Sequence, residues 1–251
     1  MTSVQILIVT VLLQQGFFGV LWLGAAWLRM APRAALHWSA TTMLLGLSMA
    51  SLIGHDALDP AVGRFLAYAL NVIAFAVARR GVQIFARLRV TDAEHLGVVV
   101  LSLSTLALAV SSGLDLAATR AVGTAGMVWS LARGGREVVR GLGREFGRLS
   151  AWTCSLPMWS IAGVLTLRVA AGYWDGGVAA PSLRIDSGAN VAAMFAFIVL
   201  GLMLSASLCA MVVLRLVRRL QHLSRHDALT GVLNRRGLEQ ALALEHGRLR
   251  R

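Results

Sequence analysis

Three arginines, Arg64, Arg120 and Arg168, interrupt stretches that are otherwise apolar. A guanidinium carries five N–H donors in a planar fork that suits carboxylate or phosphate oxygens, and a charge inside an apolar helix is costly unless it is paired. Two roles follow: a ligand site for a small anion, or structural ion pairs and side chains that snorkel to water. Asp56, Asp59, Asp115, Asp175 and Asp186 are candidate partners at similar depth. A second polar group comprises Asp227, Thr230, Gly231, Asn234, Arg235 and Arg236. Thr230 and Gly231 read as a turn, and Asn234 as the N-cap of a helix from about Arg235 to Leu249. Leu238, Leu242 and Leu249 share one face of that helix. A third stretch, Gly134-Gly135-Arg136-Glu137-Val138, joins two glycines to an acid. It has Arg136 where a metal ligand needs a carboxylate, so it reads as the continuation of a helix. His37, His55 and His95 stand at segment ends without metal-ligand spacing, as interfacial polar residues. Cys154 and Cys209 lie in apolar segments and imply no disulfide.

The elements that must position these residues are set by composition. The chain is 57% hydrophobic and 14% charged, with a mean hydropathy of +0.69, which excludes an ordinary globular domain and requires a membrane. The net charge of +12 does not point to nucleic acid, because the basic residues punctuate apolar segments instead of gathering on one soluble face. All 24 are arginine, as expected of a GC-rich genome. A bilayer span needs about 20 mostly apolar helical residues. Seven segments qualify: Ser3 to Leu28, Ala35 to Gly54, Ala61 to Ala78, Leu96 to Ser112, Leu114 to Ala132, Trp152 to Trp174 and Gly188 to Leu216. The fourth and fifth, divided only by Gly113, form a tight hairpin. The tryptophans fall largely near span ends, as an aromatic belt does. Gly201, Ser205 and Ala206 favour close helix packing in the last span.

Orientation follows from arginine placement, since cytoplasmic loops retain positive charge. Arg29 and Arg33 mark the first connection, Arg79, Arg80, Arg87 and Arg89 the third, and Arg133, Arg136, Arg140, Arg144 and Arg148 the fifth. The alternate connections hold Asp56 and Asp59, then Asp115, then Asp175, Arg184 and Asp186. The amino terminus is therefore expected outside and the carboxyl terminus inside, where Arg215, Arg218 and Arg219 follow the last span. Met1 to Gln5 has no positive charge, unlike the start of a signal peptide, so the first segment is expected to stay as an anchor.

Asp227, Leu229, Thr230, Gly231, Leu233, Asn234, Arg235 and Arg236 reproduce a D-x-L-T-G-x-x-N-R-R run. This run resembles the opening of the GGDEF domains of diguanylate cyclases, which make cyclic di-GMP from two GTP with magnesium. The resemblance covers about His226 to Arg251. It implies that Asn234 contacts the guanine of GTP, that the chain sits in a bacterial inner membrane, and that an α/β domain begins at His226. Ala243 stands where the family often has a second guanine-contacting acid, which weakens that contact or leaves it to another residue. The family's magnesium ligands and its Gly-Gly-Asp/Glu-Glu-Phe hairpin have no counterpart between Asn234 and Arg251. This chain is therefore expected to be the sensor part of a cyclase and to be inactive by itself, with Mg2+ and GTP belonging to the full-length enzyme.

The expected organisation is an all-α membrane sensor over 1–216, a helical signalling linker over 217–225, and a GGDEF fragment over 226–251. Val213, Leu216, Leu220 and Leu223 follow a 3-4-3 spacing. That is either the seam of a short coiled coil pairing two protomers or the inner end of a membrane helix meeting lipid. The resemblance implies a homodimer, since family members hold one GTP in each of two facing domains. Other classes remain open. A transporter or channel would show broken helices at the midplane, and Pro157 is the one proline well inside a span. A receptor acting through protein partners would explain the absent active site but leave the GGDEF-like entry unexplained, and a degenerate cyclase would bind GTP without turnover.

Overall fold

The computed structural model describes residues 2–53, 59–174, 185–225 and positions 232, 234 and 238. Among the described residues the chain is helical and has no strand. Seven helices follow in order: α1 (Ser3–Trp27), α2 (Pro32–Ile53), α3 (Pro60–Phe85), α4 (Asp92–Ser111), α5 (Leu116–Phe146), α6 (Arg148–Trp174) and α7 (Gly188–Arg225). Five of them, α1, α3, α4, α6 and α7, contain stretches long and apolar enough to cross a membrane. Leu13, Phe17 and Val20 of α1 and Leu96, Leu101 and Leu108 of α4 turn outward and are more than half exposed. An apolar surface of that extent needs lipid or a partner to cover it, and the chain is accordingly a membrane protein.

The helix starts have local causes. Thr2 caps α1 in a reciprocal box: its hydroxyl accepts from the Gln5 amide at 3.3 Å, and Gln5 Oε1 accepts from the Thr2 amide at 2.9 Å. Asp59 accepts from the amides of Ala61 and Val62, with Pro60 at the first helical position. Asp115 accepts from Ala118 at 2.6 Å. Described acids expected as partners for the arginines are thus engaged as caps. Asp186 likewise accepts from the Ser3 amide at 3.2 Å, while Asp56, Asp175, Arg184 and His55 lie outside the described residues.

Two compact units divide at Ser207 and Leu208, inside α7. In the first, α2 packs between α1 and α3, and α5 packs on α3, α4 and α6. The two helices outside that set of five, α2 and α5, are held by polar and close contacts. Ser39 donates to the Gly19 carbonyl at 3.0 Å, and Ser48 to the Ala67 carbonyl at 3.0 Å, so α2 hydroxyls bond the backbones of α1 and α3. Along α5, glycines admit neighbours: a Cβ on Gly123 would lie 2.6 Å from the Tyr68 ring, and one on Gly135 2.6 Å from Trp159 Nε1.

Three sequence expectations change in the structure. The helix expected to continue through 134–138 goes further and takes up nearly the whole arginine-rich fifth connection: α5 runs to Phe146, and Gly147 alone (φ 87°) joins it to α6. Trp22 and Trp38 belong to no interfacial belt: both are 1% exposed, 4.9 Å apart edge to face, with Phe85 5.6 Å from Trp38. His95 is buried instead of interfacial. In the second unit, α7 carries Val213, Leu216 and Leu220 exposed, up to its last residue Arg225. Of the polar run beyond it, Asn234 is half-buried and its carbonyl accepts from the Leu238 amide at 2.9 Å. Asp227, Leu229, Thr230, Gly231, Leu233, Arg235, Arg236, Leu242, Ala243 and Leu249 lie outside the described residues.

Candidate functional site

Within the first unit a cavity of about 150 Å³ opens where six helices meet. Each contributes one face at helical spacing: Val11 and Gln15 from α1, Leu45 and Met49 from α2, and Tyr68, Asn71 and Phe75 from α3. Arg120, Thr124 and Met127 come from α5, Ile161, Leu165 and Arg168 from α6, and Phe197, Gly201 and Leu204 from α7. No acidic residue among the described residues lines it. Two of the three arginines singled out in the sequence therefore share one chamber. Arg64, exposed on α3, does not line it.

The two guanidiniums are held differently. Arg168 Nη2 donates to Asn190 Oδ1 at 2.6 Å, and Asn190 Nδ2 in turn donates to the Ile185 carbonyl at 2.8 Å. The Asn190 amide also donates to Ser187 Oγ at 3.2 Å, so the start of α7 fixes the fork of α6. Arg120 is 4% exposed and lies over Gly172, where a Cβ would be 2.9 Å from its Nη1. The Tyr68 hydroxyl faces the same guanidinium, and Gly123 leaves the space its ring occupies. Lower in the chamber Asn71 Nδ2 donates to Ser48 Oγ at 2.8 Å and to the Ala67 carbonyl at 2.9 Å.

A second polar centre lies near the opposite ends of α3 and α5. Arg79, 1% exposed, donates through Nη2 to Glu137 at 2.7 Å and to Glu94 at 2.9 Å. Arg133 forks onto Glu94, with Nε and Nη2 each at 3.1 Å from one carboxylate oxygen. Two arginines and two glutamates thus cancel in charge, the arrangement a buried ionic group requires. Gln83 Nε2 donates to Glu137 at 2.9 Å. A carboxylate only accepts, which fixes the amide orientation, so Gln83 Oε1 accepts from His95 Nε2 at 3.0 Å and that ring nitrogen carries the proton. Gly134 and Gly135 sit in this region to admit Met158 and Trp159; the two glycines and the acid of 134–138 are a packing joint with a buried ion pair.

Sequence reasoning found Arg120 and Arg168 and missed Tyr68, Asn71, Gln15 and Asn190. The missed residues left a signal: Tyr68 and Asn71 follow Arg64 at i+4 and i+7, a polar stripe along an apolar helix. The arrangement offers cation-lined binding in a mostly apolar chamber, with neither nucleophile nor acid–base pair among its described lining. No family model, curated protein or solved structure matches the chain.

Proposed function

We propose that this chain is the signal-sensing membrane region of a diguanylate cyclase of the bacterial inner membrane, with seven spans, an outer amino terminus and a cytoplasmic α/β GGDEF domain beginning at His226. The observation that carries this reading is α7. One helix of 38 residues contains the cavity-lining Phe197, Gly201 and Leu204 and runs to Arg225, directly before the D-x-L-T-G-x-x-N-R-R run. A ligand in the cavity touches α7 itself, so a difference in its affinity for two settings of that helix biases them. Val213, Leu216, Leu220 and Leu223 then pair two copies as a short coiled coil, which sets how two GTP-loaded domains face each other. Asn234 contacts guanine, and magnesium is held by residues of the full-length enzyme. On this reading α2 and α5 also cross the bilayer, beside the five helices that qualify by length and composition.

The test is a chimera in which an authentic GGDEF domain continues in register from Arg236. With GTP and magnesium it should make cyclic di-GMP, and Asn234→Ala should raise the GTP concentration needed for half-maximal rate about tenfold or more, the weight of a charge-free but buried hydrogen-bond partner lost. A chimera whose output ignores every change in the cavity and along α7 would sink the sensor role.

A further inference from the structure

We propose that the cavity is a site for a small neutral molecule, an apolar body of about benzene size carrying one carboxamide or hydroxyl group, with that group held by Gln15. The proposal rests on the sensor reading for its consequence, but binding itself is a property of the membrane region alone. Gln15 is 8% exposed, lines the cavity, and its side chain has no hydrogen bond to any described residue. At about 1.5 Å per residue it stands about 18 Å from either end of α1, at the depth where an unpaired amide costs most. Glycines make the room for it. A Cβ on Gly46 of α2 would lie 3.5 Å from Gln15 Cβ, and one on Gly201 of α7 3.7 Å from Gln15 Nε2. Asn71, about 17 Å along α3, spends both N–H donors on Ser48 Oγ and the Ala67 carbonyl, and its Oδ1 accepts from no described donor. The deep end of the chamber thus holds one whole amide and one further amide oxygen among Phe75, Met127, Ile161 and Leu204.

Hydrogen-bonding capacity, size and wall chemistry select the ligand together. The Gln15 amide offers two donors and an acceptor, and its complement is a group that both donates and accepts, as a hydroxyl or a carboxamide does. A carboxylate only accepts, so an anion would leave Gln15 Oε1 and Asn71 Oδ1 unmet and would set its charge against an apolar wall. Arg120 and Arg168, nearer the ends of their helices, are engaged within the protein, by Tyr68 and Asn190 among others. An apolar cavity of about 150 Å³ accommodates a benzene-sized body. Water is a poor filling, because each buried water needs about two to four polar partners and the deep wall offers few. A purely apolar molecule would fill the space and leave the amide unpaired. A group bonded to Gln15 lies against Gly201, so the ligand bears on α7 directly.

The experiment uses the 251-residue chain in nanodiscs of zwitterionic lipid at neutral pH, with binding followed by ligand-observed NMR and calorimetry and empty nanodiscs as the blank. Benzamide should saturate the site, and benzoate should bind at least about tenfold more weakly. Gln15→Leu should weaken benzamide by about tenfold without weakening toluene, a contrast that a merely misfolded variant cannot give. Leu204→Trp should block both. Benzoate binding as tight as that of benzamide, an unchanged benzamide affinity in Gln15→Leu, equal losses of benzamide and toluene in that variant, or no benzamide binding by well-folded chain would each overturn the proposal. Benzamide binding that obeys the pattern but leaves cyclic di-GMP output of the chimera unchanged would keep the site and reject the sensor reading.

Discussion

Arg79 of α3 and Glu137 of α5 stand 58 positions apart in sequence, and the guanidinium Nη2 reaches the carboxylate at 2.7 Å. The pair fastens two helices at a depth where Arg79 is 1% exposed. Removing Glu137 leaves Arg79 buried with half its counter-charge, which costs about 3 kcal/mol. Glu137→Gln should therefore lower the thermal midpoint of the detergent-solubilised protein clearly. Glu94→Gln should lower it less, because Glu94 is 25% exposed and water replaces part of what is lost. An unchanged midpoint in Glu137→Gln would show that the ion pair is idle.

Glycine substitutions should separate packing from mere helix formation. Gly123→Ala drives a methyl into the Tyr68 ring close to its Cβ, where no rotamer change gives relief, and should cost about 1–3 kcal/mol. Gly163→Ala meets nothing within 4 Å and should stabilise α6 by about 0.5–1 kcal/mol. Thermal midpoints of the two variants decide the matter, and equal shifts in one direction would contradict the packing described for α3 and α5.

Topology is tested by single cysteines in a background lacking Cys154 and Cys209. Leu114, exposed between α4 and α5, should label with an impermeant thiol reagent in intact cells when changed to Cys. Gly143, with open space around its Cβ, should label only after the cells are opened. The reverse pattern inverts the orientation.

The seam on α7 makes a prediction of its own. Leu220→Cys is placed at an exposed position and should cross-link two copies under mild oxidation, whereas Leu216→Glu should abolish that cross-link by placing like charges together. Monomeric behaviour of both variants would leave the strip facing lipid.

The 251-residue chain should make no cyclic di-GMP. Joining two nucleotides needs positioned phosphates and metal ions that neutralise the developing charge, and on the proposed reading Asn234 would supply one contact to a base. Product from purified chain with GTP and magnesium would mean that its chemistry lies elsewhere.

The seven helices were legible because apolar runs longer than about 20 residues admit few other conformations. Their ends were less so. Helix was legible through 134–138, but its extension to Phe146 was not, because Glu94 and Glu137 meet Arg133 and Arg79 within the fold, contacts no local pattern contains. Arg120 and Arg168 stood out as charges in apolar segments, but that they share one chamber depends on how α5 meets α6. Asn190 was hidden by its ordinary setting at a helix start. Trp22 and Trp38 misled for a related reason: a tryptophan near a span end serves a belt or a core equally well until its neighbours are known.

Gly147 bears on how the protein is made. A single residue with φ 87° joins α5 to α6, too short a tether for the two helices to reach the lipid at separate times. On the seven-span reading, α5, whose own apolar content falls short of a span, enters the bilayer as the passenger of α6, the two inserted as one hairpin. A side chain with a Cβ at position 147 would strain that joint, so its cost would fall on biogenesis, appearing as a smaller amount of protein in the membrane and not as an altered finished molecule.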